Sequence, residues 1–147
     1  MNTNTLPKVS DLTDEQLNIL VAEECGATWQ DVPPLPKERE WADDIHPKRL
    51  LSFEKWDFSH PLCAPIPRCN RKTKDSIQIP RYTESLDAMH KAESSMNDCE
   101  IEEYIDVLPL CAGSDLVPKG TASFVAYFAT AKQRAQAFVV AKGKATL

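Results

Sequence analysis

Five cations, Arg68, Arg71, Lys72, Lys74 and Arg81, stand within fourteen positions of one another against a single anion, Asp75, in a chain whose net charge is -5. This local surplus in an acidic protein is the pattern best suited to chemistry, and the chemistry is capture of an anion. A guanidinium presents a planar fork that meets phosphate oxygens two at a time. Arg81 and Tyr82 come just ahead of a helical pattern, whose first amides and dipole also favour negative charge. Trp29, Trp41 and Trp56 offer flat surface on which a base could stack. The candidate ligand-binding set is Arg68, Arg71, Lys72, Arg81, Tyr82 and Trp56. A solvated basic loop accounts for the same charges without any ligand, and the tryptophans equally suit core or loop anchors.

Other chemistries have weaker signatures. His60, Cys63 and Cys69 supply three potential metal ligands within ten residues, but no CxxC pair occurs. A fourth ligand would have to come from Cys25, Cys99, Cys111, His46 or His90, so buried thiols are expected and no metal or other cofactor. The surroundings of the five cysteines match no protease-like or thioredoxin-like pattern, and a cysteine nucleophile needs a histidine that only the fold could bring. His90 falls one position off an apolar stripe and reads as a histidine partly covered by neighbours. The four glycines, at 26, 113, 120 and 143, are scattered singly and form no phosphate-binding loop. No two carboxylates share an apolar setting that would raise one of their pKa values. No pattern points to catalysis.

Length and composition set the frame. A chain of 147 residues with 42% hydrophobic content suits one domain spanning 1–147 that folds without a metal or disulfide. An acidic balance argues against general nucleic-acid binding, which needs a surplus of lysine and arginine. No apolar run is long enough to span a bilayer. The first residues lack the basic start and apolar stretch of a secretory signal, so a reducing cytoplasm with free, mostly packed thiols is expected. Most of the eleven prolines fall between Pro33 and Pro80. They predict a long, irregular, extended insertion over 30–76.

The elements that must position these residues follow from periodicity. Residues 79–96 predict a central helix capped by Thr83 or Ser85, with Leu86, Met89, Ala92 and Met96 inward and Glu84, Asp87 and Lys91 outward. Thr13 and Gln16 form a capping box for a helix over 13–25, with Leu17, Leu20, Val21 and Cys25 inward and Gly26 as its left-handed stop. Residues 27–30 suit a short strand, and Pro33, Pro34 and Pro36 an extended spacer. Residues 50–58 mix apolar and charged positions and suit a strand only loosely; Ile77 and Ile79 suggest a brief one. Asn97 and Glu100 repeat the capping box before an acidic helix over 98–108, with Ile101, Tyr104, Ile105 and Leu108 inward, although its β-branched residues also suit a strand. A loop is expected from Pro109 to Gly120. Residues 122–129 read as a buried strand. Thr130 and Gln133 then open a terminal helix with Ala131, Ala135, Phe138 and Val139 inward, and Gly143 ends it. The fold class is α+β: three to four helices packed on a small antiparallel sheet.

Three stretches taken together, LTDEQLNILVAEECGATW, IPRYTESLDAMHKAES and FATAKQRAQAFVVAKGK, resemble the small bacteriophage or prophage proteins of the phage ABA sandwich type. In that family helices flank a short antiparallel sheet, which the resemblance would place after Trp29 and over residues 124–128. Residues 30–76 have no counterpart in it. The resemblance implies a phage-encoded protein of the host cytoplasm with no catalytic residues to carry over. The resulting expectation is a non-enzymatic accessory protein that binds a host protein, such as a defence component, through its long loop and acidic third helix. The alternative is sequestration of a small anionic ligand such as a nucleotide signal by the basic tract, and a third reading is hydrolysis of such a ligand.

Overall fold

Three helices begin with the same local device. Thr13, Asn97 and Thr130 each accept a hydrogen bond from the backbone amide three residues on. Gln16, Glu100 and Gln133 in turn each accept one from the backbone amide of the capping residue. These capping boxes start α1 (Asp14–Glu24), α3 (Asp98–Cys111) and α4 (Ala131–Ala141), while Ser85 alone caps α2 (Leu86–Glu93) through the Ala88 amide. The computed structural model describes residues 5–35, 37–38, 46–58, 70, 72–113 and 128–147. Among them are these four helices, a short 3-10 turn (Val9–Asp11) and three strands, β1 (Thr28–Asp31), β2 (Arg49–Ser52) and β3 (Asp75–Gln78). The class is α+β, and the chain divides into two compact units: Met1–Cys25 with Pro80–Leu147, and Gly26–Ile79.

The first unit is organised around α4, where the sequence pattern had placed the middle helix. Ala135, Ala137, Phe138 and Val139 are wholly buried, and α4 packs against α1, α2, α3 and the 3-10 turn. From α1 come Leu17, Val21 and Ala22, from α2 Met89 and Ala92, and from α3 Tyr104, Val107 and Leu108. Gly26 (φ 102°) and Gly143 (φ 69°) follow α1 and α4 in the left-handed conformation that lets the chain turn away. Outside the apolar stripe, α4 offers a cation to each neighbour. Lys132 meets Asp14 of α1 at 2.7 Å, Arg134 meets Glu93 of α2 at 3.0 Å, and Lys142 meets Glu100 of α3 at 2.8 Å. Lys144, just beyond the helix, reaches Glu24 of α1 at 3.0 Å. Only the Arg134 and Lys142 pairs are largely covered; the other two are solvent-screened and contribute about 0–1 kcal/mol each.

The middle helix is shorter than its periodicity predicts. The Thr83 amide is held by the Asn18 side chain at 2.9 Å, and the Glu84 and Ser85 amides turn back to the Arg81 carbonyl, so regular helix begins only at Leu86. At the other end the Ser94 and Ser95 hydroxyls donate to the Lys91 and Ala92 carbonyls at 2.6 Å, competing with further backbone pairing. Met89 and Ala92 are buried as expected, Met96 is half-buried, and Leu86 is 46% exposed. At the end of α3 the difference is the reverse: the helix runs through Pro109 to Cys111 instead of stopping there. Proline removes the amide that would bond to the Ile105 carbonyl, yet the Ala112 amide still reaches Leu108 and continues the turn.

In the second unit the strand order is β1-β2-β3, with β1–β2 antiparallel and β2–β3 parallel, a mixed sheet where a wholly antiparallel one was expected. The intervening residues 53–74 are long enough for the crossover a parallel pair requires. β2 thus lies wholly inside 30–76, the stretch whose prolines suggested an irregular excursion, while β1 and β3 straddle its two ends. β2 ends at Ser52 because the Gln30 side chain takes over: its amide donates to the Glu54 carbonyl at 2.7 Å and accepts from the Trp56 amide at 2.8 Å. Leu50, Leu51 and Ser52 are all buried, so both faces of β2 are covered and no alternation survives in its sequence. Of the strand expected over 122–129, residues 122–127 lie outside the described residues, and Phe128 is exposed on a helical turn.

Two outcomes check this packing by urea denaturation of the full chain. Met89→Ala should cost about 2–5 kcal/mol, as for buried aliphatic truncations, and Leu86→Ala under about 0.5 kcal/mol. Arg134→Met should cost roughly 3 kcal/mol by leaving Glu93 covered without its cation, and combining it with Glu93→Gln should restore part of that loss.

Candidate interaction surface

The rotation of α3 about its axis decides which residues it shows to solvent. Tyr104 donates its hydroxyl proton to Glu93, whose carboxylate also accepts two hydrogen bonds from Arg134 at 3.0 and 3.3 Å. One turn earlier, Glu100 accepts from Lys142. The buried arc is therefore Glu100, Tyr104, Val107, Leu108 and Cys111, at steps of four, three, one and three. This corrects the expected arc, which placed Ile101 and Ile105 inward. Ile101 is 38% exposed and Ile105 46%. A charged residue on the inner face hid the true register, because Glu100 is tolerated there only with Lys142 beside it. The Lys142 ammonium and a hydrogen bond at the Asn97 amide hold the Glu100 carboxyl below its usual range.

The resulting outer face has two adjacent rows. Ile101 and Ile105 stand on successive turns, and Asp98, Glu102 and Asp106 stand on three successive turns beside them, all exposed. Cys99 and Glu103 are exposed on the same helix. Two β-branched aliphatic side chains bordered by a line of carboxylates can bury apolar surface against a partner while selecting one that carries cations.

The residues proposed from sequence for anion capture are divided between the two units. Lys72 and Trp56 belong to Gly26–Ile79; Lys72 is exposed on a turn, and Trp56 is half-buried with its indole N–H on the Ser52 hydroxyl at 3.2 Å. Arg81 and Tyr82 belong to the other unit. Arg81 is exposed and pairs with Glu84 at 3.3 Å, and Tyr82 is buried. Arg68, Arg71 and Trp41 lie outside the described residues, as do His60, Cys63 and Cys69 of the candidate metal set. Among the described residues no group of three or more histidine, cysteine or acidic side chains is placed to hold a metal ion. His90 is exposed, not partly covered, and His46 places Nε2 on the Pro33 carbonyl at 2.7 Å. Cys99 is exposed, contrary to a packed thiol, whereas Cys25 and Cys111 are half-buried. Burial pushes both of the latter thiols up, the direction opposite to that of an activated nucleophile. No described helix is long and apolar enough to cross a membrane. Sequence reading also missed Lys48 and Arg49, which strand pairing brings beside Lys74 and Asp75.

Burial raises the Tyr82 pKa from 10.0 to about 12. A raised native value means that the stabilisation is fully present below pH 10 and is lost as pH climbs towards 12. Chemical denaturation at intervals across that range should show stability falling with pH, and Tyr82→Phe should flatten part of the fall; an unchanged slope would remove Tyr82 as its source.

No protein-family model, curated protein or solved structure matches the chain.

Proposed function

We propose that the protein acts by binding another protein through the outer face of α3. The observation that carries this reading is the pair Ile101 and Ile105, left in solvent beside Asp98, Glu102 and Asp106 on a helix whose opposite side is anchored to α4. The partner surface is apolar with lysine or arginine at its border, since those charges would meet the acidic row while acidic surfaces would be repelled. On the resemblance to small phage proteins, that partner is a component of the infected host, such as a defence protein, met in the host cytoplasm. The activity is occupation of the partner's surface and involves no chemical step.

Exposed Cys99 gives direct access to this face. A photo-activated cross-linker attached there should capture a partner from host extract, with the adduct mapped to α3 and its yield falling as salt rises. Ile101→Gln with Ile105→Gln should reduce the yield to background while shifting stability by under about 0.5 kcal/mol per site. Capture at Cys99 that survives this double substitution would overturn the reading.

A further inference from the structure

Asp31, Arg49 and Asp75 lie abreast across the three strands, because β1 pairs Asp31 with Arg49 and β2 pairs Arg49 with Asp75. Immediately before Arg49, the Lys48 amide donates to the Lys74 carbonyl at 2.7 Å. Two basic segments far apart in sequence, 48–49 and 72–74, therefore meet at one end of the sheet. We propose that this end binds a small phosphate-bearing molecule, independently of the α3 surface.

Three features support the assignment. First, the Arg49 guanidinium is already held. Its Nε and Nη2 donate to the two Asp75 oxygens at 3.1 and 3.0 Å, and its plane lies over the Trp29 ring, 4.6 Å from the centroid. Among the described residues Nη1 has no partner, so the fork keeps a donor for an incoming oxygen. A pre-held side chain loses little freedom on binding. Second, the turn carrying Lys72 and Lys74 is fixed at its base. Asn70 donates to the Asp75 carbonyl at 2.9 Å and accepts from the Lys74 amide at 2.8 Å through its own carbonyl, and its Oδ1 accepts from the Lys72 amide at 3.0 Å. Third, Lys74 has φ 56°, the only positive value at a non-glycine position among the described residues. A left-handed lysine costs about 1 kcal/mol that glycine would not, so a charge stands where the backbone alone would favour glycine. These two segments and the strand ends beside them carry Lys48, Arg49, Lys72 and Lys74 against Asp31 and Asp75, a net of two positive charges from four cations and two anions. That suits a compact anion; a polynucleotide would have to lie along a chain of net charge -5.

Calorimetry on the full chain at fixed ionic strength tests this with three probes: inorganic tripolyphosphate, ATP and a short single-stranded oligonucleotide. Tripolyphosphate and ATP should both bind. Tighter binding of ATP supports a site in which the base adds contact at Trp29, and equal binding supports one that reads phosphate alone. Lys48→Gln with Lys72→Gln should weaken both by about tenfold, the equivalent of one lost charge-assisted contact. Lys74→Gly should weaken both similarly while melting no lower than the parent protein, which separates lost recognition from lost folding. The proposal is overturned if neither phosphate probe binds, if both variants bind as the parent does, or if the oligonucleotide binds more tightly with a steep salt dependence.

Discussion

The covered ion pair between Arg134 and Glu93, completed by the Tyr104 hydroxyl, is the constraint on which the helical unit depends. Either charge left alone in that setting would be costly, because it has given up most of its water. Arg134 and Glu93 keep 11% and 17% side-chain exposure, so each must find the other for the surrounding apolar residues to close. Glu93 is on α2, Tyr104 on α3 and Arg134 on α4. Helix packing alone tolerates sliding and rotation among rods of similar width. A hydrogen-bonded knot shared by three of them does not, since a small turn of any one rod breaks geometry at the other two. Desolvation of the Tyr104 phenol, together with its bond to Glu93, favours the neutral hydroxyl and keeps it as the donor.

From that knot the outer surface follows. With Tyr104 and Glu100 both drawn inward, Ile101 and Ile105 have nowhere to go but the flank of α3, where they adjoin the acidic row. The same feature that tightens the interior thus presents an apolar strip to solvent, and the two cannot be separated by a small adjustment of the helix. The sheet unit shows a parallel case. The pairing of β2 with β3 satisfies the backbone of the strand that carries the buried Leu50 and Leu51, and in doing so aligns the starts of both strands and brings segments 48–49 and 74–75 together.

How much of this was legible in the sequence differs by interaction range. Helix starts were legible, since a threonine or asparagine followed three residues later by glutamine or glutamate closes a ring of local bonds that needs no distant partner. The stops at Gly26 and Gly143 were legible for similar reasons, as were Leu17 and Val21 of α1 and Ala131, Ala135, Phe138 and Val139 of α4, whereas Leu20 and Cys25 are only half-buried and Ala22 and Ala137 went unmarked. The rotation of α3 was not: Glu100 sits on the buried arc because of Lys142, forty-two residues away. Nor was the late start of α2, which Asn18 enforces from across the unit. Ser76, wholly buried on β3, would not be chosen as a core residue, and its hydroxyl has no hydrogen-bond partner among the described residues. The basic tract was visible as composition, but its neighbours Lys48 and Arg49 became visible only with the parallel register.

The division of the chain bears on the order in which it can take shape. Residues 26–79 are contiguous, so the strands of the sheet have their partners as soon as that stretch has left the ribosome. The helical unit is split, with α1 at one end of the chain and α4, against which Leu17 and Val21 pack, at the other. During synthesis α1 therefore emerges more than a hundred residues before the helix it packs on, and its apolar side waits for α4 to arrive.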